Sequence, residues 1–280
     1  MNCDSHILLI DTPDAVGLIA KITTALYKRD FNILSNHQFV DEQHGHFFMR
    51  TAFEGSGDTA DLLADLRANL PAAANVRLAP KGKKKLVILA TKEAHCLGDL
   101  LIRAGYGDLN ATIEAVIANY ENLGDLVKKF NIPFHCVPHE GKERLAHAME
   151  MAEIVKKYSP DYLVLTKYMR ILPPEFIALY KHRIINILHS FLPAFIGANP
   201  YRQAYERGVK IIGATAHFVT DNLDEGPIIH QAVAPVTHRL SAADMARAGK
   251  DLEKLVLSKA ISLVMDDRVF VIANKTVVFE

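Results

Sequence analysis

Two well-separated residues, Asn186 and Asp224, have the types that acyl chemistry needs. Asn186 opens the stretch NILHSFLPAFIG (186–197), and Asp224 sits in HFVTDNLDEGP (217–227); each stretch follows or ends a short apolar run that reads as a strand. An asparagine amide can donate to a carbonyl oxygen, and a carboxylate can orient or deprotonate a water. Together they suit acyl transfer. Taken singly, each suits a structural role equally well: Asn186 can satisfy backbone groups at a strand end, and Asp224 can shape the turn before Gly226 and Pro227. The shared setting favours chemistry, because open α/β sheets gather ligands where polar loops leave their strands.

From Lys85 onward, the runs LVILAT, TIEAVIAN, FHCV, YLVLT and IINIL alternate with helical patterns such as Glu143 to Lys157. That alternation predicts a doubly wound, mainly parallel α/β sheet with helices on both faces. A later extended pair, IIGATAHFV and PIIHQAVAPV, is joined by the loop that carries Asp224. A long helix from about Ala242 to Val264 and a hairpin from Arg268 to Phe279 complete the pattern.

Ahead of this block, HILLI (6–10), a helix from about Val16 to Tyr27, the pair NILSNHQFV and HFFMRTAFE, a helix from about Thr59 to Asn69, and VRLA follow the order β-α-β-β-α-β. This is the ferredoxin-like, α+β arrangement. PKGKKK (80–85) reads as a solvated connector rather than a phosphate loop, since it lacks the order of a P-loop. The expected organisation is residues 1–80, a linker at 81–85, and a second domain at 86–280.

A length of 280 residues suits two cores. Equal numbers of basic and acidic residues, 32 each, argue against nucleic acid as a principal partner. No stretch is apolar for long enough to span a bilayer, so a cytoplasmic location is expected. The dispersed cysteines Cys3, Cys96 and Cys136 argue against a disulfide framework. No G-x-G-x-x-G follows a strand, so dinucleotide binding finds no support.

The first loop, Thr12-Pro13-Asp14-Ala15-Val16-Gly17, with its PD-x-x-G turn and the NI beginning at Asn32, resembles an ACT domain. The second domain closely resembles the formyltransferase family of folate enzymes, through HCLGDLL (95–101), KYMRIL (167–172), the stretch from Asn186 and the stretch ending at Ile229. With the ACT-like domain in front, the resemblance narrows to the formyltetrahydrofolate deformylase branch.

This resemblance implies hydrolysis of 10-formyltetrahydrofolate to tetrahydrofolate and formate, with formate supplied to purine synthesis and no metal or nucleotide cofactor. It also implies residue roles. Asn186 would bind the formyl oxygen, Asp224 would activate water, and His217 would sit beside the reacting centre. Met169, Arg170, Ile171, Leu172, Gly197, Thr220, Asp221, Asn222 and Leu223 would bind the substrate, all but Gly197 lining the pterin pocket. Asp14, Gly17 and Asn32 would form the site of an amino-acid effector, glycine or methionine, and a homo-oligomer is expected.

One position departs from the family pattern. The family places a histidine two residues after the asparagine, and here that position is Leu188. A leucine neither donates a hydrogen bond nor carries a proton, and losing such a group costs on the order of a hundred- to a thousandfold in rate. The next residue, His189, would point to the opposite side if strand alternation continued. Three readings of Leu188 therefore stand: a deformylase slowed by it, a folate-binding regulator with little turnover, and an engineered or recorded change; the rival function is a formyltransferase to an amine acceptor.

The remaining signals read as structural. His44 and His46 flank Gly45 as solvated loop histidines, without the spacing of a metal site. His95 and Cys96 are expected to pack at a helix start, and Asp14 with Gly17 to cap the first helix.

Overall fold

The computed structural model describes residues 4–192 and 200–280. In chain order, the first elements are β1 (Asp4–Pro13), α1 (Leu18–Tyr27), β2 (Asn32–Asp41), β3 (His46–Gly55), α2 (Thr59–Asn69) and β4 (Asn75–Leu78). There follow β5 (Lys84–Ala90), α3 (His95–Tyr106), β6 (Ala111–Ala118), α4 (Gly124–Lys128), β7 (Phe134–Cys136), α5 (Arg144–Lys156), β8 (Tyr162–Thr166) and α6 (Pro174–Leu179). The last are β9 (Ile184–Leu188), α7 (Pro200–Arg207), β10 (Ile211–Phe218), β11 (Ile228–Pro235), α8 (Ala242–Met265), β12 (Val269–Ile272) and β13 (Lys275–Val278). They fall into two compact units. One runs to Gly82 and takes in Asp267–Phe270 and Val277–Glu280; the other holds Lys83–Asp266 with Val271–Thr276.

In the first unit, the antiparallel sheet has the order β2-β3-β1-β4. Alternate residues of β1, Leu8 and Ile10, join Phe47, Met49 and Phe53 of β3 on the face that α1 and α2 cover with Leu18, Ile22, Leu26, Leu62 and Leu66. Phe48, on the opposite face of β3, meets the ring of Phe270 at 5.5 Å. The start of α1 differs from expectation. Its N-cap is Gly17 alone, at φ 85°, with no side chain capping the helix. Asp14 instead donates its backbone N–H to the Gly45 carbonyl at 2.8 Å. The left-handed backbone at Gly17 turns the chain without help from a carboxylate.

The second unit is built on a seven-stranded sheet of order β11-β10-β9-β8-β5-β6-β7. The pairs β5/β6, β5/β8, β6/β7 and β8/β9 are parallel, whereas β9/β10 and β10/β11 are antiparallel. Leu86 to Ala90 are buried without interruption, as a strand covered on both faces requires. Val87 and Leu89 pack with Met151, Val155 and Phe176 of α5 and α6, while α3 and α8 lie together elsewhere in this unit.

The end of the expected connector belongs to this sheet. Lys84 and Lys85 are already part of β5, and Lys84 is buried, with its ammonium donating to the carbonyls of Val264 (3.3 Å) and Met265 (2.7 Å) at the end of α8. A cation there meets the unpaired carbonyls of a helix C-terminus, which is why this lysine is not solvated. Among the described residues, no helix is long and apolar enough to cross a membrane.

Candidate active site

Register places the first pair of polar side chains. β9 lies antiparallel to β10 with Asn186 opposite His217 and Leu188 opposite Thr215. Asn186 and Leu188 therefore share a face, since side chains alternate along a strand. The pairing of β10 with β11 shifts between Ala216 and His217, and such a bulge locally re-aims a side chain.

His217 is 2% exposed, and burial pushes its pKa down to about 4 despite the backbone carbonyl that favours its proton. It is neutral at neutral pH. Its Nδ1–H donates to the Phe218 carbonyl at 2.9 Å, so Nε2 is an acceptor and takes a hydrogen from the Asn186 amide at 3.3 Å. His217 thus orients Asn186. It does not itself offer a proton from Nε2, and the second amide N–H of Asn186 remains for a substrate oxygen.

Asp224 arrives on the loop between β10 and β11, in the left-handed backbone region at φ 58°. Burial raises its pKa above the ordinary 3.8, which strengthens it as a base. Gly226 returns this loop to the sheet: a Cβ there would stand 1.8 Å from the Phe218 carbonyl oxygen. Phe218 also donates its N–H to the Pro227 carbonyl at 2.9 Å.

These groups line one cavity of about 280 Å³. Asn186, Leu188, His217 and Asp224 are joined there by Met169, Arg170, Ile171 and Leu172 and by Thr220, Asp221 and Leu223. Asn222 is not among the lining residues; its carbonyl accepts from the Thr220 hydroxyl at 3.2 Å and shapes the loop. Gly197 lies outside the described residues, and Asp14, Gly17 and Asn32 belong to the first unit.

The cavity wall continues past the end of β9. β9 ends at Leu188, the chain bends, and His189 and Ser190 line the same cavity as Leu188. The bend is held by Thr215, whose hydroxyl donates to the Ser190 carbonyl at 2.9 Å and accepts from the Leu192 N–H at 3.3 Å. Phe191 then packs on Gly213, where a Cβ would approach it to 2.7 Å.

Lys167 also lines the cavity, directly after β8, at φ 56°. Its ammonium lies 3.1 Å from His189 Nδ1 and 3.5 Å from the buried Glu253 carboxylate of α8. Glu253 further meets His95 Nε2 at 2.8 Å and accepts from the Tyr201 hydroxyl at 2.8 Å. Burial alone would raise the Glu253 carboxyl, but the hydrogen bonds from His95 and Tyr201 and the charge of Lys167 outweigh it and hold the group below its usual range. His95 at the start of α3 is therefore a hydrogen-bonding partner of Glu253 and not packing alone.

His95, Cys96 and Glu253 could hold a metal by their proximity. Chemistry argues otherwise: the carboxylate already has three partners, and burial pushes the Cys96 thiol up, away from the thiolate that metals bind. In the other unit, His44 is an exposed loop residue, as expected, that also pairs with Asp41 at 3.0 Å, whereas His46 begins β3 and packs on Phe48. Glu253 had a readable signal in the sequence, an acid on the same helical stripe as the buried Gly249, Val256, Leu257 and Ala260.

The unit with the mainly parallel sheet and this cavity is that of a formyl transferase: residues 84–261 match the formyl transferase family, and residues 6–71 match the ACT domain. More narrowly, the chain belongs to the formyltetrahydrofolate deformylase family. It is 58% identical over 275 residues to the formyltetrahydrofolate deformylase of Haemophilus influenzae, covering 98% of this chain and 99% of that one. The crystal structure of a formyltetrahydrofolate deformylase from Pseudomonas syringae pv. tomato superposes with a TM-score of 0.94 at 39% identity, over 99% of this chain and 94% of that one. Glycinamide ribonucleotide transformylase 1 from Symbiobacterium toebii matches 74% of this chain and 98% of its own, with a TM-score of 0.68 at 28% identity.

Two outcomes follow from the geometry. Between its ordinary 6.5 and about 4, His217 takes a proton in the unfolded chain that the folded chain refuses. Its contribution is therefore complete above pH 6.5 and is lost as pH falls toward 4, by up to about 3 kcal/mol. Urea unfolding across this range should show a shallower loss for His217→Asn than for the native chain; equal slopes would remove His217 as the cause. Gly226→Ala should destabilise by about 2 kcal/mol or more, because a backbone oxygen must move, and unfolding with an unchanged midpoint would contradict the close approach.

Proposed function

We propose that this chain hydrolyses 10-formyltetrahydrofolate to tetrahydrofolate and formate in this cavity, with Asn186 and Asp224 as the reacting pair. The observation that carries the reading is their convergence: an amide with one N–H committed to a neutral His217, and a half-buried carboxylate with a raised pKa, face one cavity. The pterin is held by Met169 to Leu172 and by Thr220, Asp221 and Leu223, largely through backbone groups.

The chemistry then balances on few groups. Asp224 accepts a proton from water as its oxygen attacks the formyl carbon, and negative charge grows on the formyl oxygen. The Asn186 N–H stabilises that charge. As the carbon–N10 bond breaks, the proton on Asp224 passes to N10, and the formic acid released ionises to formate in solvent.

Leu188 occupies the cavity wall beside Asn186, where a donor to the same oxygen would stand. It favours slow turnover, and in the limit a folate binder with little turnover. Single-turnover formate release at saturating 10-formyltetrahydrofolate, without an amine acceptor, separates these readings. Formate is expected, abolished by Asp224→Asn and raised about tenfold or more by Leu188→His. The rate should fall on an acid limb above the ordinary 3.8 of an aspartate, since the working form of Asp224 is ionised. Tight folate binding with no formate over hours would establish the binder instead, and consumption only with an amine would establish a transferase.

The ACT domain supports a small-molecule effector, for which the loop of Asp14 and Gly17 with Asn32 is the candidate site, glycine or methionine the candidate ligand, and a homo-oligomer the expected assembly. Titrating either amino acid to millimolar concentration should shift the thermal midpoint or the rate; no shift with either would exclude both.

A further inference from the structure

Hydrolysis as described makes no use of the hairpin β12–β13, yet its tip reaches the loop that carries Asp224. The Asn274 side chain donates to the Glu225 carbonyl at 2.7 Å, and the Thr276 hydroxyl donates to the Ile228 carbonyl at 2.5 Å. All four residues belong to the second unit. β11 is an edge strand of its sheet, and an edge leaves backbone groups without a strand to pair with. The hairpin supplies a partner at Ile228, the first residue of β11, and another one residue after Asp224.

Left-handed backbone lies on both sides of the bond from Asn274. Asp224 has φ 58°, and Ala273, which precedes Asn274 in the hairpin turn, has φ 49°. A two-residue turn normally gives such a position to glycine or asparagine, and a residue with a Cβ keeps it only where its surroundings impose it. Before Asp224, the Asn222 carbonyl accepts from the Thr220 hydroxyl at 3.2 Å and from the Glu225 N–H at 3.4 Å. After it, Gly226 is pressed against Phe218, and the Pro227 carbonyl accepts from the Phe218 N–H. Glu225 lies exposed between these anchors, with its carbonyl oriented by Asn274. The backbone leaving Asp224 therefore takes its direction from the hairpin. A tether serving stability alone would be poorly placed here, since a hydrogen bond between exposed groups competes with water and contributes little.

We propose that the hairpin β12–β13 is a clamp on the β10–β11 loop, and that Asn274 and Thr276 are positioning residues that hold the Asp224 carboxylate at the cavity for water activation. Neither lines the cavity; each acts through backbone that follows Asp224. A displaced base loses rate more than affinity, because proton transfer depends on hydrogen-bond geometry while the substrate is held by other groups. This assignment rests on the hydrolytic reading and specifies what sets its base in place.

Two measurements decide it. In single-turnover formate release, Asn274→Ala and Thr276→Val should each lower the maximal rate about fivefold or more, with half-saturation within about twofold of the native chain. Thr276→Ser keeps the hydroxyl and should restore most of the rate. Burial alone raises the Asp224 pKa, so a loosened loop that admits water should move the acid limb down toward the ordinary 3.8. Asn274 is exposed, and its alanine variant should keep the native urea midpoint. Native rates in both variants, a loss confined to half-saturation, Thr276→Ser as slow as Thr276→Val, or a rate loss that only tracks a lowered urea midpoint would each overturn the proposal.

Carbon-13 titration of the aspartate carboxyls reads the positioning without turnover. Asp224 should titrate above 3.8 in the native chain and closer to 3.8 in Asn274→Ala and in Thr276→Val. An unchanged midpoint in both variants would overturn the clamp whatever the rates. If neither the native chain nor Leu188→His releases formate, the hydrolytic reading itself fails, and with it the catalytic role of the clamp, while the titration still reports whether the hairpin holds the loop.

Discussion

The antiparallel pairing of β9 with β10 is the constraint on which the cavity depends. It sets Asn186 against His217 and Leu188 against Thr215, and a slip of one residue would turn every one of those side chains to the other face of the sheet. The bulge after Ala216 and the close return of Gly226 to Phe218 belong to the same device. Backbone hydrogen bonds, not side-chain contacts, fix where the amide and the carboxylate meet.

His217 illustrates how burial divides labour. Deep in the sheet, it is neutral and uses its only hydrogen on the Phe218 carbonyl. It serves by accepting from Asn186, which leaves the amide one defined direction. Asp224, half-buried on a loop, is affected by burial in the opposite sense and is made more basic. One environment thus silences a histidine and sharpens a carboxylate, because desolvation penalises whichever form is charged.

The buried charges around Glu253 form a second layer. A carboxylate that is 1% exposed survives there because His95, Tyr201 and Lys167 compensate it, and removing one partner from such a group typically costs about 3–5 kcal/mol. The layer is built from four distant parts of the chain: the start of α3, the end of β8, the start of α7 and the middle of α8. It ties the cavity wall to the longest helix of the molecule.

Much of this was legible in the residues themselves. Alternating apolar runs gave the two sheets and their order, since burial on one face or two leaves a period in the sequence. The polar loops after β9 and β10 marked the candidate site, and the leucine at 188 could be seen without coordinates. What tertiary structure alone decided was direction and partnership. His95 looked like packing at a helix start, but Glu253 of α8 meets its ring at 2.8 Å; PKGKKK looked solvated, but the end of α8 draws Lys84 inside. Local pattern determines which elements form, because it acts through neighbours in sequence. Which polar groups meet depends on contacts between residues far apart along the chain, and no local pattern encodes those.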